Sequence, residues 1–374
     1  MDNSSKGIRV GVIGLGNMGG IHARQFQDGK ILGAHLAAVS DTIPANLDPW
    51  PHVARFEDAN AMIHSGTVDA VVIVTPHFSH TPLSITALKA GLHVLVEKPL
   101  TVRKSDAEKI IKAHRKSRSV FAIMFNQRTD PLYRQVREWI DDGTSGPIQR
   151  IQWTITDWFR SEAYYKSGSW RGTWAGEGGG ILLNQAPHQL DLWQWLFGMP
   201  SRVRAVGKPG RYHDIEVEDD VTAILEYANG ATGVFVTTTG EAPGVNRLEI
   251  AADNGLLILD GRTLRFLKNK IPASEFNRTT EEKFAKPDFE EQTQVFQDAG
   301  SQHAGIFQNF IDTITRGVPL IAPGEEGIHS LELANALTLS LFNNKPVDLP
   351  MKSARFSRLL DTLIEKSKSR QGLP

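Results

Sequence analysis

A glycine-rich turn that follows a short apolar run constrains the fold of this chain more than any other feature. Residues 9–13 form a short, mostly apolar run that is rich in β-branched side chains, which predicts a buried strand. Gly14, Gly16 and Gly19 then form the pattern G-x-G-x-x-G, and residues 18–27 are predicted to be helical. Gly14 permits a tight turn, Gly16 lets bare backbone approach a pyrophosphate, and Gly19 lets helix and strand pack closely. The N-terminus of the helix adds unpaired N–H groups and a positive dipole end.

A second apolar run, residues 36–40, ends at Asp41, twenty-two residues beyond Gly19. An acid at this distance hydrogen-bonds the adenosine ribose in dinucleotide-binding βαβ units. Because a carboxylate there would repel a 2′-phosphate, the sequence favours NAD over NADP. The alternative is a glycine-rich surface turn followed by a solvated aspartate.

The first third of the chain predicts a doubly wound α/β sheet. Further strands are predicted at 68–74, 93–96 and 120–125, with helices at 81–90 and 105–117 between them. Such parallel sheets bind ligands at the carboxyl ends of their strands. The residues expected to gather at that edge are Asp41, Thr75, Lys98 and Asn126.

Four motifs then resemble one known family. They are G-x-G-x-x-G, T-P-x-x-x-H from Thr75, A-G-x-H-V-x-x-E-K-P-L from Ala90, and W-R…G-G-G-x-L-x-N-x-x-x-H-x-x-D from Trp170. Together they resemble the Gfo/Idh/MocA oxidoreductases. The resemblance implies a Rossmann domain (1–127), an α+β domain on a large, open, mostly antiparallel sheet (128–350) and a C-terminal helix or tail (351–374). It also implies a nicotinamide cofactor, a sugar or cyclitol substrate and a cis Lys98–Pro99 bond.

Lys98 is the predicted catalytic residue. Oxidising a secondary alcohol requires a base for the hydroxyl proton, and a partly desolvated lysine beside a positively charged nicotinamide ring has its pKa lowered. Glu97 would position or counterbalance it; the alternative is an exposed lysine after a strand. His77 is left undecided, and no metal site is predicted because partners at ligand spacing are missing. The residues expected to contact the cofactor are Gly14, Gly16, Asn17, Met18, Gly19, Asp41, Thr75, Pro76, His80, Glu97, Lys98 and Asn126.

A second functional stretch runs from Gly178 to Asp191. On the predicted helix, which ends near Gly198, Asn184, His188 and Asp191 share one face, as expected for a polyol-binding and proton-relay surface. His188 is the predicted relay. The alternative is a capped helix with a core histidine. Many family members have Asp where this chain has Asn184, which puts an Asp–His pair in doubt, and Pro187 either kinks the helix or marks its start.

Aromatic and basic residues cluster between these stretches, at residues 158–160, 170–171 and 174. Such residues stack on sugar faces and bind hydroxyls, but they equally serve as core or interface aromatics. The residues predicted to bind substrate are Asn184, Asp191, Arg128, Trp170 and Arg171.

The later part of the chain predicts an antiparallel sheet, because strand-like runs alternate with short turns between 202 and 267. An uncovered sheet face would favour a homo-oligomer, either a dimer or a tetramer. Residues 271–299 read as a polar excursion, and the end of the chain from Lys366 as a frayed tail.

The composition narrows the partners and the compartment. Forty-one basic and 42 acidic side chains nearly cancel, which argues against nucleic acid or an anionic membrane surface as the main partner. The chain has no cysteine, and neither a secretory leader nor a membrane-length apolar run is visible, so a cytoplasmic protein is expected.

The predicted function is NAD(H)-dependent hydride transfer at a secondary hydroxyl of a sugar, glycoside or cyclitol. One alternative is a glycoside-cleaving enzyme that uses tightly bound NAD in transient oxidation, elimination and re-reduction. Another is a non-catalytic protein that senses NAD or sugar.

Overall fold

The computed structural model describes residues 7–371, in which strands and helices first alternate and strands then dominate. The strands are β1 (Ile8–Ile13), β2 (Ala34–Ser40), β3 (Ala54–Phe56), β4 (Ala70–Ile73), β5 (His93–Val96), β6 (Phe121–Ile123), β7 (Ile148–Ile155), β8 (Arg202–Pro209), β9 (Glu218–Glu226), β10 (Thr232–Thr238), β11 (Asn246–Ala252), β12 (Gly255–Asp260), β13 (Thr263–Asn269), β14 (Phe289–Val295) and β15 (Val347–Asp348). The α-helices are α1 (Asn17–Gln27), α2 (Ala59–His64), α3 (His77–Lys89), α4 (Lys104–His114), α5 (Pro131–Asp141), α6 (Glu162–Lys166), α7 (Pro187–Phe197), α8 (Ala273–Thr279), α9 (Gln302–Arg316), α10 (Gly327–Asn343) and α11 (Ser353–Gln371).

The contacts divide the chain into two units. Of the described residues, the first unit contains 7–129, together with Gly176–Gly178 and Ser301–Leu331. The second contains Asp130–Ala175, Gly179–Gly300 and 332–371. The first unit is therefore discontinuous in sequence, and Ser301–Leu331 belongs to it although the sequence placed 128–350 in one domain.

A six-stranded parallel sheet forms the centre of the first unit. Its strand order is β3-β2-β1-β4-β5-β6, so the direction of winding reverses between β1 and β4. All four residues of β4 are buried, as expected for a strand in the middle of a parallel sheet. The predicted doubly wound sheet is confirmed, and its reversal point is where such sheets bind ligands.

A nine-stranded sheet forms the centre of the second unit, in the order β14-β13-β12-β11-β7-β10-β9-β8-β15. Neighbouring strands are antiparallel except β7 and β10. Trp153 of β7 stacks on Trp193 of α7, whose ring also meets Phe235 of β10 edge-on. All three side chains are fully buried, so this face of the sheet packs against α7. The predicted mostly antiparallel sheet is confirmed.

Two segments contain more regular structure than the sequence predicted. The stretch 271–299 contains α8 and β14, and every side chain of β14 is exposed, so no apolar alternation marks this strand. Backbone pairing with β13 holds it instead. The end of the chain forms α11 through Gln371, because Phe356, Leu360 and Leu363 give the helix a buried stripe that begins before the polar end.

Within residues 7–371, none of the helices combines the length and the hydropathy needed to cross a bilayer.

Candidate functional site

The glycine turn of the first unit is shaped by two steric constraints. Gly14 has φ +89°, a left-handed value that favours glycine. A Cβ on Gly19 would lie 1.8 Å from the carbonyl oxygen of Gly14, so only glycine lets α1 pack this closely. A Cβ on Gly16 would meet nothing within 4 Å, which leaves open space beside the first turn of α1. The turn and the helix N-terminus therefore suit a pyrophosphate, whose oxygens accept hydrogen bonds from free N–H groups.

Asp41 lies beside this turn. Its Oδ2 accepts a hydrogen bond from the backbone N–H of Leu15 at 2.6 Å, and its Oδ1 accepts one from Ile43 at 2.8 Å. The half-buried carboxylate is therefore fixed next to the residue between Gly14 and Gly16. This is the position that the spacing predicted for the acid.

Lys98 follows β5 at the carboxyl edge of the same sheet. Its side chain is half-buried, and its backbone N–H donates to Oε2 of Glu97 at 3.0 Å. The Lys98–Pro99 peptide bond is cis, as the resemblance predicted. Glu97 thus positions the backbone of Lys98, which was one of the two roles expected of it.

Behind Lys98, two histidines that the sequence reasoning missed surround Glu97. His22 of α1 is fully buried, and its Nε2 lies 2.7 Å from Oε1 of Glu97. The ring of His303 from α9 lies 5.3 Å from that of His22. Burial alone would raise the pKa of Glu97, but the hydrogen bond from His22 and the charges of His22, Lys98 and His303 outweigh it and lower the pKa to about 2. Glu97 is therefore an anion at neutral pH.

His22, Glu97 and His303 also offer three ligand atoms within 4.8 Å of one another, a spacing that suits a metal ion. The atoms of His22 and Glu97, however, are 2.7 Å apart. Two ligands of a tetrahedral zinc ion lie about 3.3 Å apart when each bond is about 2.0–2.1 Å. The geometry is thus that of a hydrogen bond. His22 could have been suspected from sequence, because it lies three residues after Gly19 on the face of α1 that packs on the sheet.

The segment after β4 is helical where a loop was predicted, since α3 begins at His77 instead of Thr81. Pro76 caps the helix, and His80 fixes it in place. The ring of His80 is fully buried, with Nδ1 2.8 Å from the carbonyl oxygen of Pro99 and Nε2 2.8 Å from that of Thr75. Burial lowers the pKa of His80, whereas the two carbonyl oxygens act in the opposite direction because they favour the doubly protonated ring. The hydrogen bonds of His80 therefore link the segment after β4 to the segment after β5.

Two buried polar atoms at this sheet edge have no hydrogen-bond partner among the residues that the structure describes. They are Oγ1 of Thr75 and Oδ1 of Asn126, and the Nδ2 of Asn126 is held by Gln302 at 2.5 Å. Buried polar groups are rarely left unpaired in proteins. With the open space at Gly16, they fit the bound dinucleotide predicted for this edge.

Internal contacts hold His77, which the sequence left undecided, and Arg128, which was predicted to bind substrate. The Nδ1 atom of His77 lies 3.0 Å from the carbonyl oxygen of Glu177. Arg128 is 1% exposed, and its Nη1 donates to Glu326 at 2.5 Å and to Ile321 at 3.2 Å. A guanidinium that is buried against a carboxylate has little left to offer a substrate, so these contacts favour a structural role for Arg128 over the predicted one.

In the second unit, α7 begins at Pro187, so the prediction that Asn184 lies on this helix was wrong. Proline is favoured at the first helical position, where no N–H is needed, and the three preceding residues form turns. His188 and Asp191 do lie on α7. His188 is half-buried, whereas Asp191 is 1% exposed and its Oδ1 accepts a hydrogen bond from Gln194 at 2.9 Å.

Tyr164 of α6 is a third residue that the sequence reasoning missed. Its hydroxyl oxygen accepts hydrogen bonds from Arg171 at 2.7 Å and from Asn184 and Gln185 at 3.3 Å each. Two predicted substrate-binding residues, Arg171 and Asn184, thus meet at one phenol. A third, Trp170, stacks on Arg171 with 4.4 Å between its ring centroid and the guanidinium carbon. The aromatic-basic composition marked this segment, but no spacing rule singles out Tyr164.

The chain matches two family models that together cover most of its length. The model described as "Oxidoreductase family, NAD-binding Rossmann fold" matches residues 8–125, and the "GFO/IDH/MocA C-terminal domain" matches residues 133–258. Inositol 2-dehydrogenase of Rhizobium meliloti (strain 1021) is 25% identical over 91% of this chain and 99% of that protein. The scyllo-inositol 2-dehydrogenase (NAD(+)) of Bacillus subtilis (strain 168) is 26% identical over 93% of this chain and 98% of that protein.

A solved structure, the WlbA dehydrogenase from Bordetella pertussis in complex with NADH and UDP-GlcNAcA, superposes with a TM-score of 0.78. It is 26% identical and covers 93% of this chain and 100% of its own. The two domain models, the full-length relatives and the superposition agree with the motifs, and the chain belongs to the Gfo/Idh/MocA family of NAD-binding oxidoreductases.

Proposed function

We propose that this protein transfers a hydride between nicotinamide and a secondary hydroxyl of a sugar, glycoside or cyclitol. The observation that carries the proposal lies within the first unit: Lys98 follows β5 at the same sheet edge as the glycine turn. Relatives over nearly the whole chain are named inositol dehydrogenases. Their names support a CH–OH dehydrogenase and place sugars and cyclitols first among substrates.

The proposed cofactor is NAD in preference to NADP. The carboxylate of Asp41 accepts a hydrogen bond from the N–H of Leu15, beside the glycine turn near which the resemblance expects the adenosine ribose. A 2′-phosphate there would bring two like charges together, which is unfavourable. When bound, the nicotinamide ring supplies the hydride acceptor or donor at its C4 atom.

Lys98 is the proposed acid and base. Its Nζ takes the hydroxyl proton as the alcohol is oxidised and returns it in the reverse direction, while the anionic Glu97 keeps its backbone in place. His188 is the proposed relay, since imidazole exchanges protons near neutral pH. Asn184 is proposed to orient the substrate directly, and the buried Asp191 to do so through the residues that it contacts on α7.

We also propose a homo-oligomer formed through the nine-stranded sheet. Val206 of β8 and Ile224 of β9 are about half exposed, and both alternate with buried residues on their strands, so one side of this sheet is uncovered. Apolar groups on an uncovered face favour association with a second copy. Light scattering of the purified chain would test this; a monomer at micromolar concentration would contradict it.

The test of the proposed function is a screen for NAD⁺ and NADP⁺ reduction over free sugars, glycosides, anhydrosugars and inositols. We expect absorbance of NADH to rise with at least one polyol and NADP⁺ to be the poorer oxidant. Release of a sugar from glycosides without added cofactor or net NADH would favour the oxidation–elimination cycle instead. Saturable NADH binding without turnover of any compound would leave only a sensing role.

A further inference from the structure

We infer that the substrate is an anionic carbohydrate, a sugar or cyclitol derivative that carries a carboxylate, and that Arg160 and Arg171 bind this carboxylate. The inference rests on the proposed function, whose substrate class it narrows. It comes from the Tyr164 cluster, which we define as Trp158, Arg160, Tyr164, Trp170 and Arg171. All of these residues lie in the second unit.

The guanidinium groups of Arg160 and Arg171 both lie against aromatic rings. The guanidinium carbons of Arg160 and Arg171 lie 5.1 and 4.5 Å from the centroid of Tyr164. Arg160 also lies 5.4 Å from the ring of Trp158, and Arg171 4.4 Å from that of Trp170. The two cations are therefore no more than about 10 Å apart, and stacking limits their movement.

Neither cation has an ion-pair partner. Within the described residues no carboxylate oxygen comes within 4.0 Å of Arg160 or Arg171; Arg160 donates to the carbonyl oxygen of Phe159, and Arg171 to the hydroxyl of Tyr164. Three carboxylates, those of Glu162, Asp214 and Glu216, line one cavity with Arg171. Glu162 accepts a hydrogen bond from the backbone N–H of Asp214, and Glu216 accepts one from that of Trp174 at 3.3 Å.

The other partly buried arginines of the second unit all have acidic partners. These pairs are Arg137–Asp141, Arg150–Glu249, Arg262–Asp130 and Arg265–Glu291. Two like charges in a partly desolvated site without direct ion-pair partners are unfavourable, so a site of this kind suits an anionic ligand.

The hydroxyl of Tyr164 is surrounded by hydrogen-bond donors. A phenol oxygen has two acceptor lone pairs and one O–H to donate. Three N–H donors already converge on this oxygen, from Arg171, Asn184 and Gln185. Its acceptor capacity is filled, and no acceptor for its own proton is found in the described part of the chain. An oxygen of a bound carboxylate would accept that proton and also meet the fork of Arg171.

The neighbouring groups favour a carboxylate on a carbohydrate over a bare anion. Asn184 supplies a neutral amide that suits hydroxyl groups, and the half-buried ring of Trp170 offers an apolar face of the kind that packs against a sugar ring. A phosphate shares the anionic oxygens, so sugar phosphates form a separate arm of the test.

The experiment measures binding by isothermal titration calorimetry in the presence of NADH, independently of turnover. The probes are D-glucuronate and D-galacturonate, their neutral counterparts D-glucose and D-galactose, and D-glucose 6-phosphate. We expect at least one uronate to bind about tenfold or more tightly than its neutral counterpart, with an affinity that falls as salt rises. Equal affinity for charged and neutral sugars would overturn the inference, and so would a phosphate ester binding more tightly than both uronates.

Substitutions localise the effect. Arg171→Met and Arg160→Met should each weaken uronate binding about tenfold or more and leave neutral sugars within about threefold, whereas Arg171→Lys should recover part of the loss because it keeps the charge but not the fork. Tyr164→Phe should weaken the same ligands. Arg204→Met removes an exposed arginine of the same unit and should change neither affinity. Circular dichroism and NADH affinity report whether each variant is folded.

The outcomes separate this inference from the proposed function. Turnover of neutral polyols without charge preference would keep the dehydrogenase and remove the carboxylate site. Charge-selective binding that Arg171→Met abolishes, without reduction of NAD⁺ by any ligand, would keep the site and remove the reaction. If Arg171→Met weakens charged and neutral sugars alike, the arginine supports the loop instead of binding the anion.

Discussion

The glycine turn and the Tyr164 cluster are held by different parts of the polypeptide. At the glycine turn, backbone atoms determine the shape of the site: the N–H groups, the carbonyl oxygens and the absence of Cβ atoms. Most of the residues involved lie close together in sequence. At the Tyr164 cluster, Arg171 and a residue outside the cluster, Asn184 of the turn before α7, both donate to the hydroxyl of Tyr164 on α6.

This difference indicates which of the two regions can change its ligand specificity by substitution. A site built from backbone atoms accepts few substitutions, because a single Cβ at Gly19 would collide with the backbone of the turn. Such a site binds the cofactor in the same way whichever substrate the enzyme uses. A site built from side chains changes its ligand with one substitution and leaves the fold intact. Variants of the two regions should therefore fail in different ways.

The largest effect is expected at Lys98. Lys98→Met removes the proposed acid and base, so kcat should fall about 10²- to 10⁴-fold while the Kd for NADH stays within about threefold. Steady-state kinetics and NADH fluorescence titration measure the two quantities. Lys109→Met, at an exposed lysine of α4, is the matched control. Unchanged turnover in Lys98→Met would remove this residue from the mechanism.

The next effect distinguishes two adjacent glycines of α1. In Gly19→Ala the new Cβ would collide with the carbonyl oxygen of Gly14, and the forced shift should weaken NADH binding about 30-fold or more and lower Tm. In Gly20→Ala the nearest atom is 3.9 Å from the Cβ, so binding should be retained. Equal NADH affinities for the two variants would show that backbone packing does not control this site.

The buried carboxylate of Glu97 should give a pH-dependent stability. Its pKa falls from an ordinary value of 4.5 to about 2 on folding. The stability that it contributes is therefore fully present above pH 4.5 and is lost as the pH falls from 4.5 toward 2. Urea unfolding should show wild type more stable than Glu97→Gln by about 2 kcal/mol at pH 6, with a shrinking difference at lower pH.

Glu108→Gln, at an exposed position of α4, serves as the control for that series and should show no such trend. A constant difference between wild type and Glu97→Gln from pH 6 down to pH 3 would show that the carboxylate is not held as an anion by His22 and its neighbours.

The smallest effect is expected at Asp41. Asp41→Asn keeps an oxygen for the N–H of Leu15 but removes the charge, so the preference for NAD⁺ over NADP⁺ in kcat/KM should fall about tenfold. Asp48→Asn, an exposed neighbour in sequence, controls for the general change in charge. A preference that does not move would mean that some other group excludes the 2′-phosphate.

The sequence predicted the first region much better than the second, for physical reasons. The glycine spacing, the acid at 41 and the strand end at Lys98 are local patterns with one structural meaning each, and the structure places all three at one sheet edge. The contact between His22 and Glu97 spans 75 residues, and no periodicity signals it. Tyr164 and Asn184 meet only after folding, and Arg128 could not be recognised as buried because Glu326 lies far along the chain.

The return of Ser301–Leu331 to the first unit has a practical consequence for protein engineering. A fragment cut ahead of this segment would take away Glu326, the counter-ion of the buried Arg128, as well as Gln302, which holds the amide of Asn126. The nucleotide-binding unit is consequently not encoded by one continuous stretch of sequence. Any chimera that transplants this unit into another enzyme needs Gly176–Gly178 and Ser301–Leu331 as well as the segment that ends at Thr129.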